Sequence, residues 1–233
     1  MKDLDSIMAD FRNERNGRPT PPQKSYRLPL SAGDAFTFLE KEYSRLVAER
    51  GKIYRLDQPT QEHLSKVADY LTSPERKLSL MLCGTMGNGK TVMGLAIMGV
   101  CRQFRRGSFS GEYPDTFPWP YLVSASEIAR LVTRAYDSAA TARDLAIFEE
   151  LQAEKLLIID DLGQESSKTY SYGTDIMPLA EIIRSRHAKR FPTVITTNLT
   201  EPQIADRYKQ LVLDRIHEQY EMVAFTQPSY RTQ

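Results

Sequence analysis

Residues Gly84 to Thr91 read Gly-Thr-Met-Gly-Asn-Gly-Lys-Thr. This is a full match to G-x-x-x-x-G-K-[ST], a loop that holds phosphate when a strand leads into it and a helix leaves it. Both contexts are present: Leu78 to Cys83 is an apolar run of strand length, and Val92 to Phe104 has the length and apolar content of a helix. Glycines at 84, 87 and 89 let the backbone curl so that successive N–H groups point inward at an anion. The positive end of the following helix faces the same anion. Lys90 adds a point charge for the outer phosphates, and the Thr91 hydroxyl is the expected Mg²⁺ ligand. The predicted nucleotide contacts are therefore Gly84, Thr85, Met86, Gly87, Asn88, Gly89, Lys90, Thr91 and Val92. The bland alternative is a glycine-rich turn, and the placement of Lys-Thr argues against it. The pattern points to a nucleoside triphosphate site.

A second acidic motif supports it. Leu156-Leu157-Ile158-Ile159-Asp160-Asp161 is a strand of four apolar residues ending in two acids, the form of a Walker B strand. Ligands gather at that carboxyl edge in open α/β sheets. Asp160 would hold Mg²⁺, directly or through water, and Asp161 would orient the attacking water. Asn198 closes the next strand, Thr193 to Thr197, where an amide can reach a terminal phosphate; Asn also commonly begins a turn after a strand. Arg215 and Arg231 each stand in a semi-apolar setting, and read alone they suit a surface ion pair as well as a functional role.

The rest of the chain supplies the alternation of strand and helix that a parallel sheet covered on both faces requires. A short strand is expected at 121–123, with helices at 126–136, 141–153 and 175–190. Residues 107–120, with Gly107, Gly111, Pro114, Pro118 and Pro120, read as a surface insertion in which Trp119 is a packing anchor. Helices are predicted over 34–50 and 60–72, and a short amphipathic one over 3–12 on Leu4, Ile7, Met8 and Phe11. Between them, residues 16–23 contain Pro19, Pro21 and Pro22 and read as a linker. The resulting division is an N-terminal helical partner-binding region at 1–55 and an ATP-binding domain at 56–233.

With 31 basic and 30 acidic residues, the net charge of +1 gives no global field for nucleic acid or membrane. Local basic clusters (Arg184, Arg186, His187, Lys189, Arg190; Arg102, Arg105, Arg106) sit at helix ends, where cations favour the helix dipole and could also follow a DNA backbone. Cys83 and Cys101 read as reduced core residues, and the absence of an apolar leader or spanning run points to a cytoplasmic protein.

Phosphate loop, acidic strand end, Thr-Thr-Asn, Asp214-Arg215 and a terminal Ser229-Tyr230-Arg231 occur in one order. In this the chain, over residues 52–233, resembles the AAA+ helicase loaders of the DnaC/DnaI type and the related IstB-type transposition helper ATPases. The resemblance implies a P-loop NTPase with a five-stranded parallel AAA+ sheet, helices on both faces and a reduced C-terminal lid. It implies that Asn198 is sensor 1, Arg215 the arginine finger and Arg231 the sensor 2 arginine. It also implies ATP and Mg²⁺ as cofactors, single-stranded DNA as a ligand and an ATP-dependent homo-oligomer. The client would be a replicative helicase or a transposase, gripped by the N-terminal region. One departure bears on hydrolysis: Asp161 stands where the family carries a catalytic glutamate, with Glu165 as a stand-in from the next loop. The leading expectation is a DNA-replication ATPase that loads a helicase. The alternatives are an IstB-like helper and a nucleotide-gated adaptor with little hydrolysis. A small-molecule kinase is disfavoured by the Thr-Thr-Asn strand end and the Arg215 segment.

Overall fold

A computed structural model describes residues 27–106, 120–153, 156–166, 169–171, 174–227 and 229–230. The expected helix at 3–12, the linker at 16–23, the insertion at 107–119 and Arg231 lie outside the described residues.

Two helices precede the first strand. Helix α1 (Ala32–Glu49) begins where Ser31 caps Asp34 N at 3.1 Å, and α2 (Gln58–Thr72) where Asp57 caps Thr60 N at 2.9 Å. Strand β1 (Ser79–Gly84) then runs through the phosphate loop into α3 (Lys90–Arg106). The chain continues through β2 (Pro120–Ser124), α4 (Ala125–Ala135), α5 (Ala142–Leu151) and β3 (Leu156–Leu162). Next come a small antiparallel hairpin, β4 (Thr169–Ser171) and β5 (Thr174–Ile176), and then α6 (Pro178–Ala188) and β6 (Thr193–Thr197). Helices α7 (Glu201–Tyr208) and α8 (Gln210–Gln219) lead to β7 (Tyr220–Phe225).

The main sheet has five strands in the order β2-β3-β6-β1-β7, and every pairing in it is parallel. Because strand side chains alternate between faces, the run at β1 divides cleanly. Leu80 and Leu82 join a core with Leu39 of α1, Leu64 and Val67 of α2, and Met93 and Ile97 of α3. Met81 turns the other way, to Ile128 of α4, Ile182 of α6 and Ile216 of α8. The inner strands are thereby covered on both sides, as a parallel sheet needs, while the edge strands β2 and β7 keep exposed positions.

The expected helices at 34–50, 60–72 and 92–104 are found within a few residues of those bounds. The helix expected over 175–190 is shorter, because 174–176 belongs to the hairpin. Strand β7 carries Glu221 near its start and is fully buried only at Tyr220, Val223 and Phe225, unlike β3 with its four consecutive buried apolar residues. Helix α1 belongs by sequence to the N-terminal region, yet Ala35, Leu39 and Tyr43 are buried in the core shared with α2, α3 and the sheet.

The basic cluster at the end of α6 needs one correction. Arg186 is fully buried and is no part of a surface track. Its Nε donates to Thr193 Oγ1 at 2.9 Å, and its guanidinium donates to Leu151 O and Ala153 O at 3.0 Å and to Pro192 O at 2.7 Å. Burial pushes its pKa down to about 10. The planar fork thereby ties the α5–β3 turn to the entry of β6, using donors that a lysine could not aim. Both cysteine thiols are pushed up by burial, Cys101 to about 12, which suits inert core residues. Among the described residues no helix is long and apolar enough to cross a membrane.

Replacing Arg186 by Met leaves these acceptors buried without donors. The expected cost is about 3 kcal/mol or more, read as a lower denaturation midpoint, with Arg186→Lys recovering little of it.

Candidate nucleotide site

The phosphate loop opens at the carboxyl end of β1, between β6 and the edge strand β7. Gly84, Gly87 and Gly89 have φ of 147°, 84° and 94°, a region costly for any residue with a Cβ. Space adds a second requirement at two of them: a Cβ on Gly84 would strike Phe225 O, and one on Gly89 would strike the Tyr43 hydroxyl. Met86 lies at the exposed tip of the loop, and Asn88 at its base is fully buried. The first N–H groups of an α-helix have no acceptor inside the helix. Here the first backbone bond into the loop runs from Met93 N to Gly89 O at 2.9 Å, which leaves the amides of Lys90, Thr91 and Val92 at the dipole's positive end. The Val92 side chain is in the core, so only its backbone can serve a ligand.

Lys90 is almost wholly buried. Its Nζ donates to Gly84 O at 2.9 Å, Thr85 O at 2.7 Å and Asn88 Oδ1 at 3.0 Å. The ammonium is therefore held at the mouth of the loop by the loop's own oxygens.

Beside the loop, β3 and β6 bring the acids into place. In register, β1 pairs with β6 through Cys83 and Thr197, and β6 pairs with β3 through Ile195 and Ile159. Asp160 Oδ1 accepts from Thr196 Oγ1 at 2.6 Å and from Thr91 Oγ1 at 3.1 Å. The two expected Mg²⁺ ligands, Thr91 and Asp160, thus meet directly. An oxygen pair of this kind, open to further oxygen ligands, suits Mg²⁺, and the glycine cradle above it suits a triphosphate.

After Asp160 the strand leaves regular register between Ile159 and Leu162. Asp161 adopts φ of 58°, and its N–H donates to Thr196 Oγ1 at 2.8 Å. Short Asp and Asn side chains tolerate this left-handed conformation better than longer ones, which gives a local reason for aspartate here. Glu165 is committed elsewhere. Its Oε2 accepts from Gly163 N at 2.9 Å, and its Oε1 accepts from Arg207 Nε at 3.3 Å and from the Tyr208 hydroxyl. Oε2 thus holds Gly163 within the loop after β3, and Oε1 fastens that loop to α7.

Asn198 follows Thr197 at the end of β6, partly exposed and next to the strand that carries the loop. Arg215 lies on α8, on the opposite face of the sheet from α3. Its own-helix acids are engaged otherwise: Asp214 accepts from Gln210 Nε2 at 2.8 Å and Glu218 pairs with His187 at 3.0 Å. One Arg215 terminal nitrogen is buried with no hydrogen-bond partner among the described residues. The structure therefore assembles the loop, Asp160, Asp161 and Asn198 at one sheet edge and sets Arg215 apart.

Sequence reading missed Thr196, whose hydroxyl links Asp160 to the Asp161 backbone. Its signal was in view, as the first residue of Thr196-Thr197-Asn198. Tyr43, Asp57 and Gln227 were also missed as neighbours of the loop, because nothing in their local pattern marks them.

A parallel sheet in this order, with a phosphate loop after the strand beside the outermost one and an acidic end two strands away, defines a P-loop NTPase fold of the AAA+ class. Among solved structures the chain is similar to the DnaC helicase loader, with a TM-score of 0.56 and 19% identity over 79% of this chain and 99% of that one. It is similar to DnaI (TM-score 0.52, 19% identity, 75% of this chain and 88% of that). AMPPCP-bound DnaA from Aquifex aeolicus also matches (TM-score 0.51, 14% identity), over 74% of this chain and 48% of that one. At these identities the likeness is one of fold. No protein-family model and no curated protein matches the sequence.

Lys90→Ala removes a charge-assisted contact of about 1.5–3 kcal/mol, so affinity for a fluorescent ATP analogue is expected to fall roughly ten- to a hundredfold with the fold retained. Unchanged affinity would place the nucleotide elsewhere.

Proposed function

We propose that this protein is an ATP-binding, slowly hydrolysing DNA-replication factor that loads a replicative helicase. The observation that carries the reading is the meeting of Thr91, Asp160 and Thr196 directly beneath a glycine-walled loop. The likeness in fold to DnaC and DnaI supports the choice of client.

In this reading the amides of residues 84–92 and Lys90 hold the phosphates, and Thr91 and Asp160 hold Mg²⁺. When bound, the metal neutralises charge on the phosphate oxygens. Asp161 orients water at the terminal phosphate, and Asn198 fixes that phosphate from the next strand. Thr196 keeps both acids in place. Arg231, following Tyr230 in sequence, is the proposed second arginine of the site. The N-terminal region, residues 1–55, grips the helicase, and basic surface residues track single-stranded DNA. A second reading, a nucleotide-gated adaptor with little turnover, draws support from the engagement of both Glu165 oxygens and the shorter reach of Asp161. Phosphate release with and without single-stranded DNA separates the two, since DNA-stimulated turnover excludes the adaptor. ATP-dependent association with the source cell's replicative helicase tests the client. If ATP is bound but the helicase is not, the loader reading fails.

Arg215 is proposed to act on ATP held by a neighbouring copy, which would make assembly depend on nucleotide. Arg215→Ala keeps its pocket and Lys90→Ala keeps its arginine, so each alone is expected to be nearly inactive and their mixture to regain hydrolysis. A mixture no more active than its parts would refute action in trans.

A further inference from the structure

Beyond β7 the chain turns back over the phosphate loop and ties down its glycine-rich half. Asn88 Nδ2 donates to Phe225 O at 2.7 Å, Gln227 Nε2 donates to Asn88 O at 2.7 Å, and Tyr230 N donates to Gly87 O at 2.9 Å. The Tyr230 side chain then reaches the start of α2. Its hydroxyl donates to the Asp57 carboxylate, at 3.1 Å from Oδ1 and 3.0 Å from Oδ2. Thr60 Oγ1 lies 3.0 Å from the same hydroxyl and is left to donate to it. Asp57 is also the cap of α2, so one carboxylate fixes both the helix start and the end of the C-terminal strap. From α1, the buried Tyr43 abuts Gly89 so closely that no Cβ fits there. Gly87, Asn88 and Gly89 are thereby held from outside the loop, by the strap and by the N-terminal helices.

Such support answers a physical problem. A glycine-rich loop has more backbone freedom to lose than any other, and ordering it on binding subtracts from affinity. Gly87 and Gly89 have no side chains with which to hold themselves. Contacts that order the loop before a ligand arrives raise affinity without touching the ligand.

We propose that Asp57 and Tyr230 form a clasp that positions the phosphate loop, so that nucleotide affinity depends on the seating of α1 and α2 against the C-terminal strap. The proposal rests on the reading of this loop as a triphosphate site. It makes Tyr230 and Asp57 positioning residues and links the helices that follow the N-terminal segment to the state of the site. A displacement of α2 by a partner would be felt at Gly87 through Tyr230.

Two conservative variants of the full chain test it. Tyr230→Phe keeps the ring and removes the hydroxyl. Asp57→Asn keeps a cap, since asparagine caps helices as well as aspartate does, and removes the charged acceptor. Hydrogen exchange of the 85–92 amides without nucleotide, ATP affinity by calorimetry and the melting temperature are measured for each variant and for the double variant. The clasp predicts faster exchange over 85–92 in both singles and ATP binding weakened roughly tenfold. It also predicts that the double variant is no weaker than either single, because the two residues act as one unit. Unchanged exchange overturns the clasp whatever the nucleotide data show. A lower melting temperature with wild-type ATP affinity also overturns it, since the pair would then be only structural. If faster exchange in the variants accompanies a wild-type protein that binds no ATP, the triphosphate reading fails and takes the affinity claim with it.

Discussion

One carboxylate oxygen receives two threonine hydroxyls, and much of the site follows from that. Asp160 Oδ1 accepts from Thr91 at the first turn of α3 and from Thr196 at the end of β6. Three separate chain segments are joined within hydrogen-bond distance of a single atom. Thr196 can donate there because β6 lies beside β3, and Thr91 because the glycine-rich loop returns the chain from β1 into α3. The two acids differ in setting: Asp160 accepts both hydroxyls at Oδ1, whereas Asp161 has a left-handed backbone and donates its N–H to Thr196.

Around this centre the two ends of the described chain converge. Helices α1 and α2 supply Tyr43, Asp57 and Thr60, and the strap after β7 supplies Gln227 and Tyr230. Glu42, one residue before Tyr43, lies so near Gly99 that a Cβ there would fall 2.7 Å from its carboxylate. Neighbouring residues of α1 thus fit against two glycines of the loop and its helix. This close seating places α1 in the same core as the phosphate loop's helix. A partner that moved these helices would act on packed surfaces that touch the loop, a physical route for coupling.

Much of this was readable from residues alone. The loop announces itself because its chemistry needs glycine, lysine and threonine at fixed spacing, and β3 because four apolar residues precede its acids. Residues such as Leu39, Leu64 and Val67 follow helical spacing, so α1 and α2 could be placed closely. What escaped depends on contacts distant in sequence. Tyr230 and Asp57 are 173 positions apart, and no local pattern joins them. Arg186 reads as one cation among five until its acceptors on the α5–β3 turn are seen. Glu165 reads as a free acid until Tyr208 and Arg207 close on it. Strand β7 follows α8 with no turn residue between them, so no local signal separates the two.

As proposed, Thr91, Asp160 and Thr196 make a nucleotide site whose affinity depends on a metal ion. ATP affinity measured with Mg²⁺ and with a chelator, in wild type, Asp160→Asn and Thr196→Val, tests it most directly. Mg²⁺ is expected to tighten wild-type binding by roughly tenfold or more, and both variants to lose most of this gain while retaining metal-free binding through the loop. A wild-type affinity indifferent to Mg²⁺, or an Asp160→Asn protein with the full Mg²⁺ effect, would contradict it.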